Sequence, residues 1–332
     1  MGKTVCAVVT TYNRKDLLME CLNTFRSQTY PPSAVYIIDN ASTDGTPSLL
    51  NKNGYIKELP PKNINTPWKS SLEIENSMNK KQLKVVYVRM HKNTGGSGGF
   101  YEGMKRAVED GYDWIWVSDD DAFLDDDVFL NFKKSISILD EKGEIRNTAA
   151  ICGSVINKEN HYVDRARIHK GFFLIKGTLV KSEEYVKQYF EIDLFSYVGT
   201  FLNSKFLKIA GFTKRELFIY NDDTEHSLRL RKYGKIFCFP NIKVYHSTPA
   251  NGSISWKTFY ALRNQLLMIK WHFPIRYFVF MSVYMKFRAL AAKFVKRDFY
   301  HKIYYQMVCK AVKDAKKEKM GEDEIYKPGW RP

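Results

Sequence analysis

No two of the five cysteines (Cys6, Cys21, Cys152, Cys238 and Cys309) stand at Cys-x-x-Cys spacing. That removes a zinc pattern and a disulfide framework together, and leaves thiols in a reducing compartment as the expectation. Long hydrophobic runs are also missing. The longest apolar stretch near the C-terminus, Tyr277–Met285, is nine residues bounded by Arg276 and Lys286, too short to span a bilayer. The opening MGKTVC fits no signal peptide and lacks the Ser or Thr that myristoylation wants at position six. The chain is therefore expected to be cytoplasmic, or peripheral on the inner face of the cell membrane. Nucleotide fingerprints are absent too. The one glycine-rich segment, Asn93–Phe100 (NTGGSGGF), is neither G-x-G-x-x-G nor followed by Gly-Lys-Ser/Thr, so it is not a dinucleotide loop or a Walker loop.

What is present is a chain of 332 residues, 44% hydrophobic and 15% aromatic, enough for a real core in one large or two ordinary domains. The net charge is +16. From Trp256 onward, 17 Lys and Arg stand against 6 Asp and Glu, a net of +11. The rest of the chain carries little of the excess. A catalytic region over 1–255 followed by a basic, aromatic helical region over 256–332 is the expected organisation. Such a tail suits nucleic acid, an anionic membrane surface or a solvated helix face.

Against that basic background sits WVSDDDAFLDDD (116–127), six aspartates in nine positions. They follow an apolar run that reads as a strand. Other strand-like runs also end in polar groups: VCAVVTTYNR, AVYIIDNASTDGT and KVVYVRMHKN. Helical periods alternate with them, as at 15–28, and a helix is expected from near Gly99. This alternation argues for an α/β fold with a mainly parallel sheet, whose ligands bind beyond the carboxyl ends of the strands. The polar interval 51–82 reads as a surface insertion with a short helix near 70–78.

Strand periodicity of two would turn Asp119 and Asp121 to one face. Two converging carboxylates make a hard-oxygen site for Mn2+ or Mg2+, which would relieve their repulsion; a solvated acidic turn is the plainer alternative. Asp125–Asp127 suit the N-terminus of the following helix. The glycines of NTGGSGGF let a backbone approach a ligand closely, or form a strand-to-helix turn. In NDDTEHSLR, Asp222, Asp223 and Glu225 either favour a helix N-terminus or supply a general base. His246, closing KVYH, is a competent third metal ligand if the fold brings it to the aspartates.

Together, VVTTYNR, IIDNASTDGT, HKNTGGSGGF, VSDDDA, YVGTFLNSKFL, LFIYNDDTEHSLRLRKYGK and KVYH, in this order over residues 5–246, resemble glycosyltransferase family 2. Those are inverting, nucleotide-sugar-dependent enzymes with the A-type glycosyltransferase fold. The pairing of NTGGSGGF with FIYNDDTEHSLR is similar to bacterial galactofuranosyltransferases and related rhamnosyltransferases. The resemblance implies that Thr10, Tyr12 and Arg14 line the nucleotide, Asp39 bonds the base, and Asn93, Gly95 and Gly96 also face it. Asp119 and Asp120 would belong to the donor site, Asp119, Asp121 and His246 to the metal. Asp223 would be the catalytic base, with Asp222 beside it. The implied partners are a UDP- or dTDP-sugar and a glycan or polyprenyl-diphosphate-linked acceptor, with an anionic membrane surface for the tail. Sugar selection would rest on 160–220. The segment YALRNQ (260–265) suggests helix packing, with Arg263 near the site.

Other classes fit less. A non-enzymatic nucleic-acid-binding protein would place basic groups, not carboxylates, in its pockets. A nucleotidyltransferase would want glycines in TTYNRKD, which has none.

Overall fold

The computed structural model describes residues 3–159, 163, 166–169, 177–246 and 254–332. The apolar runs become strands: β1 (Val5–Thr11), β2 (Ala34–Asp39), β3 (Trp68–Glu75), β4 (Gln82–Arg89), β5 (Trp114–Asp119), β6 (Ala122–Leu124), β7 (Thr148–Asn157), β8 (Arg167–His169), β9 (Thr178–Leu179), β10 (Phe190–Ile192), β11 (Leu194–Phe195), β12 (Thr200–Asn203) and β13 (Lys235–His246). The helices are α1 (Lys15–Arg26), α2 (Thr46–Lys52), α3 (Gly95–Glu109), α4 (Val128–Glu141), α5 (Ser204–Ala210), α6 (Asp222–Leu230), α7 (Trp256–His272), α8 (Ile275–Lys296) and α9 (Phe299–Lys316).

One large sheet runs β10-β13-β7-β12-β5-β1-β2-β4-β3, with β6 on β13; β11, β8 and β9 form a small second sheet. β1 lies parallel to β2 and β5, and β2 parallel to β4. Their carboxyl ends, Thr11, Asp119, Asp39 and Arg89, therefore share one edge. β1, β2 and most of β5 are buried on both faces, which is why their sequences read as unbroken apolar runs rather than alternating ones. Apolar clusters fill both sides, one around Trp114, Trp116, Phe129 and Phe201, the other around Phe100, Met104, Tyr197 and Leu202.

Three expectations change. Residues 70–78 hold no helix: Trp68–Glu75 is an edge strand antiparallel to β4. Its side chains alternate between half-buried and exposed, the period of a strand with one covered face. The helix expected from Gly99 begins at Gly95. Asp127 stands at the N-cap of α4, but its carboxylate bonds no helix N–H. It accepts from the Thr29 hydroxyl at 2.5 Å.

α7, α8 and α9 share an apolar cluster that also takes in Leu217, and a second cluster joins Phe218 to Phe259, Tyr260, Met307 and Tyr326. The basic tail is thereby tied to the loop leading into α6. Ser255 and Thr258 start α7 with reciprocal side-chain-to-backbone bonds, a capping box.

Candidate active site

The strand ends open onto a cavity of about 260 Å³. Thr10, Thr11, Tyr12 and Arg14 reach it from the end of β1, Asn40 from β2, and Asp119 and Asp120 from β5. Asn93, Gly95 and Gly96 form its floor at the start of α3, while Phe218, Ile219, Trp256, Lys257 and Pro328 close it from the C-terminal half.

The aspartates do not behave as a repeating strand. β5 stops at Asp119, and Asp120–Asp121 form a turn into β6, so the period-two placement does not extend to Asp121. Asp120 turns inward. It accepts from the Thr11 hydroxyl at 2.7 Å and from Arg14 at 3.0 Å. Arg14 also bonds Asp121 at 2.6 Å, so one guanidinium bridges two carboxylates. Burial, with the charges of Asp121 and Asp120, pushes Asp119 up to about 7. Burial likewise raises Asp120 to about 6 against the pull of Arg14. Asp121 goes the other way: burial is outweighed by the His246 and Arg14 contacts, and its carboxyl is held below the ordinary value.

His246, at the end of β13, brings Nε2 to 3.3 Å from Asp121 Oδ1. Among the described residues no three His, Cys, Asp or Glu side chains converge as a finished metal site, and Arg14 occupies Asp121. The donor chemistry itself, two crowded carboxylates and an imidazole, suits a hard divalent cation.

Asp39 is fully buried and is not part of the cavity wall. Oδ2 accepts from Tyr87 at 2.7 Å and Arg89 at 2.6 Å, and Oδ1 from the Ser42 N–H at 2.8 Å. Its neighbour Asn40 lines the cavity instead. Asn40 accepts from the Thr94 N–H at 2.9 Å and donates to the Gly95 carbonyl at 2.8 Å, locking the second strand to the glycine segment. Those glycines serve packing as much as the cavity. At Gly95 (φ +73°) a Cβ would lie 1.9 Å from the Phe218 carbonyl oxygen, and at Gly99 2.3 Å from Thr10. At Gly96 it would meet nothing within 4 Å.

Asp222 and Asp223 stand at the head of α6. Asp222 is buried, and burial with the charge of Asp223 raises it to about 7. Asp223 is half-buried and accepts from the Thr224 N–H at 2.6 Å; burial raises it too, against that bond. The charge of Asp119 adds to the rise at Asp222 and at Tyr220; Asp222 and Asp223 are not among the residues that line the cavity, but Phe218 and Ile219, of the loop that leads into them, are. Glu225, the third acid, is a strut. Fully buried, it takes Arg229 through both oxygens at 2.9 Å and His272 at 3.0 Å.

Sequence reasoning missed Lys257 and Trp256, which belong to a helix whose pattern speaks only of packing. Lys257 is held below its ordinary value by burial and by Arg14. It also missed Arg167, buried among the carbonyls of Gly153, Val198 and Gly199 at 2.8–3.1 Å. Arg263 does not line the cavity; it donates to the carbonyls of Gly321 at 2.9 Å and Leu217 at 3.1 Å. Within the stretch expected to select the sugar, 160–162, 164–165 and 170–176 lie outside the described residues.

Comparison with known proteins adds three findings. The model for "Glycosyl transferase family 2" matches residues 6–62 and 69–192, more than half of the chain. Galactofuranosyltransferase GlfT1 of Mycobacterium tuberculosis is 29% identical over 126 residues, 38% of this chain and 33% of that protein. GlfT1 of Mycolicibacterium smegmatis is 31% identical over 118 residues, 36% and 30% of the two chains. The match thus spans about a third of the length of these relatives. The S. aureus TarS 1-349 structure in complex with UDP-GlcNAc superposes with a TM-score of 0.55 at 14% identity, over 94% of this chain and 81% of that one. The fold is of the A-type glycosyltransferase class, and the chain belongs to glycosyl transferase family 2.

Proposed function

We propose that this protein transfers a sugar, galactofuranose from UDP-galactofuranose, with inversion to a hydroxyl of a glycan or polyprenyl-diphosphate-linked acceptor, in cell-surface polysaccharide assembly. One observation carries the reading above the others. Asp119 at the end of β5 lines one cavity with Phe218 and Ile219, of the loop that leads into Asp222 and Asp223 at the head of α6. The partial similarity to the two GlfT1 proteins supports the choice of sugar.

In this reading Thr10, Tyr12, Asn93 and Gly96 receive the nucleoside, and Arg14 and Lys257 face the diphosphate. Asp119, Asp121 and His246 would hold Mn2+ or Mg2+. When bound, such an ion offsets the charge that grows on the departing diphosphate. Asp223 takes the proton of the acceptor hydroxyl as its oxygen bonds to the anomeric carbon. The carbon–oxygen bond to the diphosphate breaks on the opposite side, and the nucleoside diphosphate leaves with that electron pair. Asp222 stays beside the base, whose own burial keeps its affinity for a proton high.

Calorimetric titration of UDP and dTDP, each with and without Mn2+, tests the donor site. Metal-dependent preference for UDP is expected. Preference for dTDP would transfer the reading to a rhamnosyltransferase using dTDP-rhamnose, and binding of neither would overturn it. Asp223→Asn should lower turnover roughly 10²–10⁴-fold while UDP affinity stays within about twofold. Unchanged turnover would remove Asp223 from its role.

A further inference from the structure

Helix α8 is apolar on the side where a surface helix is usually charged. Phe278, Met281 and Ala289 face inward onto α7 and α9. On the opposite side Phe280, Val283, Phe287 and Phe294 are each more than 60% exposed. Steps of three, four and seven residues align these four along one side of the helix. Single exposed apolar residues are ordinary; a stripe from Phe280 to Phe294, about 21 Å long, marks an interaction surface.

The charges on α8 say what kind of surface it meets. The helix carries Arg276, Lys286, Arg288, Lys293 and Lys296, and no Asp or Glu. At 100° per residue, Lys286 and Lys293 border the stripe on one side and Arg288 on the other. Arg276 and Lys296 lie towards the ends of the helix. The first acid after it, Asp298, is engaged by the His301 backbone N–H and imidazole at 2.8 Å.

We infer that this face of α8 lies in the plane of an anionic membrane surface. The apolar stripe would sink to the headgroup–acyl boundary, and the long basic side chains would reach up to lipid phosphates. No described helix is long and apolar enough to cross a membrane, so α8 docks without spanning. A second copy of the chain fits the face poorly. A two-fold pairing sets each face against itself, bringing Lys286 and Arg288 of both copies together with no acid on the helix to pair them, and buried unpaired charge is costly. The inference is independent of the reaction proposed above, and its test needs neither donor nor acceptor.

The test is flotation of the full chain with vesicles of phosphatidylcholine alone, or of phosphatidylcholine and phosphatidylglycerol in equal parts, at low and high salt. Wild type should float with the anionic vesicles at low salt and bind the neutral ones at least about tenfold more weakly. The double variant Phe280→Ser/Phe287→Ser should lose flotation at either salt. Lys286→Gln/Arg288→Gln should lose the salt-sensitive part. These positions are exposed, so both variants should keep the wild-type melting temperature and UDP affinity. Failure of wild type to float with anionic vesicles would overturn the inference. So would flotation that both variants retain in full. A dimer that forms in solution and is abolished by Phe280→Ser/Phe287→Ser, without vesicle binding, would reassign the face to a second copy. UDP titration of the same samples separates any of these from a failure of the glycosyltransferase reading.

Discussion

The side-chain amide of Asn264, fully buried on α7, donates to the main-chain carbonyl of Leu217 at 2.9 Å. The same nitrogen lies 2.8 Å from the Ile219 carbonyl and 2.9 Å from that of Tyr220. These carbonyls belong to a loop of uncommon shape: Phe218, Tyr220 and Asn221 all have positive φ, +70°, +66° and +61°. Left-handed backbone at non-glycine residues costs free energy, and persists where surroundings over-determine it. Here Asn264 and Arg263 supply that determination, and the loop delivers Asp222 and Asp223 to α6. Asn264→Ala should therefore lower stability by about 1–3 kcal/mol, the usual cost of stranding a buried polar group. Turnover should fall well beyond what the loss of folded protein explains. Urea denaturation, alongside turnover per folded molecule, checks both. Wild-type turnover in folded Asn264→Ala would mean that the loop holds its shape without this amide.

The neighbouring glycines separate packing from binding. In Gly95→Ala the new methyl would collide with the Phe218 carbonyl, at a residue with φ of +73°. A loss of more than about 2 kcal/mol is expected from strain and displacement of that loop. Gly96→Ala meets open space, so its stability should change by less than about 1 kcal/mol, in either direction. Since Gly96 lines the cavity, its effect should appear as weaker UDP binding. Equal melting temperatures for the two variants would contradict this division.

Both glycines were visible in the sequence; their different duties were not, because the obstacle to a methyl at Gly95 comes from residue 218. The same holds across the site. The strand ends, the aspartates and the two acids of α6 could be read locally, since each follows an apolar run or opens a helix. β3 was misplaced because WKSSLEIE alternates with only modest apolar weight, and an edge strand is defined by its partner β4. Asp39 could not be separated from Asn40 by sequence: whether the carboxylate faces ligand or fold depends on Tyr87 and Arg89, brought alongside by the parallel register. Glu225, too, looks like the two acids before it until Arg229 and His272 are seen to occupy it.

Beside that strut, His226 gives a stability signature that needs no ligand. Its Nδ1 lies 2.8 Å from the Tyr197 hydroxyl and its Nε2 3.1 Å from the Gly211 carbonyl. A neutral ring can accept at the first and donate at the second. Burial, with the positive charge of Arg229, lowers it to about 3. The unfolded chain binds this proton near the ordinary histidine value, so between about pH 6.5 and 3 unfolding takes up a proton. His226 alone should then remove stability as pH falls, with a slope of up to about 1.4 kcal/mol per pH unit. Comparing the pH dependence of unfolding in wild type and His226→Gln isolates the contribution. An imidazole that titrates near its ordinary value in the folded protein, by NMR, would contradict it.

The two acids at the head of α6 should set the acid limb of the reaction. Asp222 is raised to about 7 by burial and by Asp223, and Asp223 is raised by burial. Such a pair loses its protons in steps that belong to both members. A base must be deprotonated to accept the acceptor's proton. Activity should accordingly be low where Asp223 keeps its proton, and should climb as pH rises through a range above the ordinary carboxylate one. Asp222→Asn removes the neighbouring charge that disfavours ionisation of Asp223. It should shift the acid limb to lower pH, whatever it does to the plateau. Profiles of kcat/KM for wild type and Asp222→Asn at fixed metal and donor concentrations would reveal that shift. An unmoved limb would mean that the titrating group lies elsewhere, with Asp119, raised beside the metal candidates, the first to examine through Asp119→Asn.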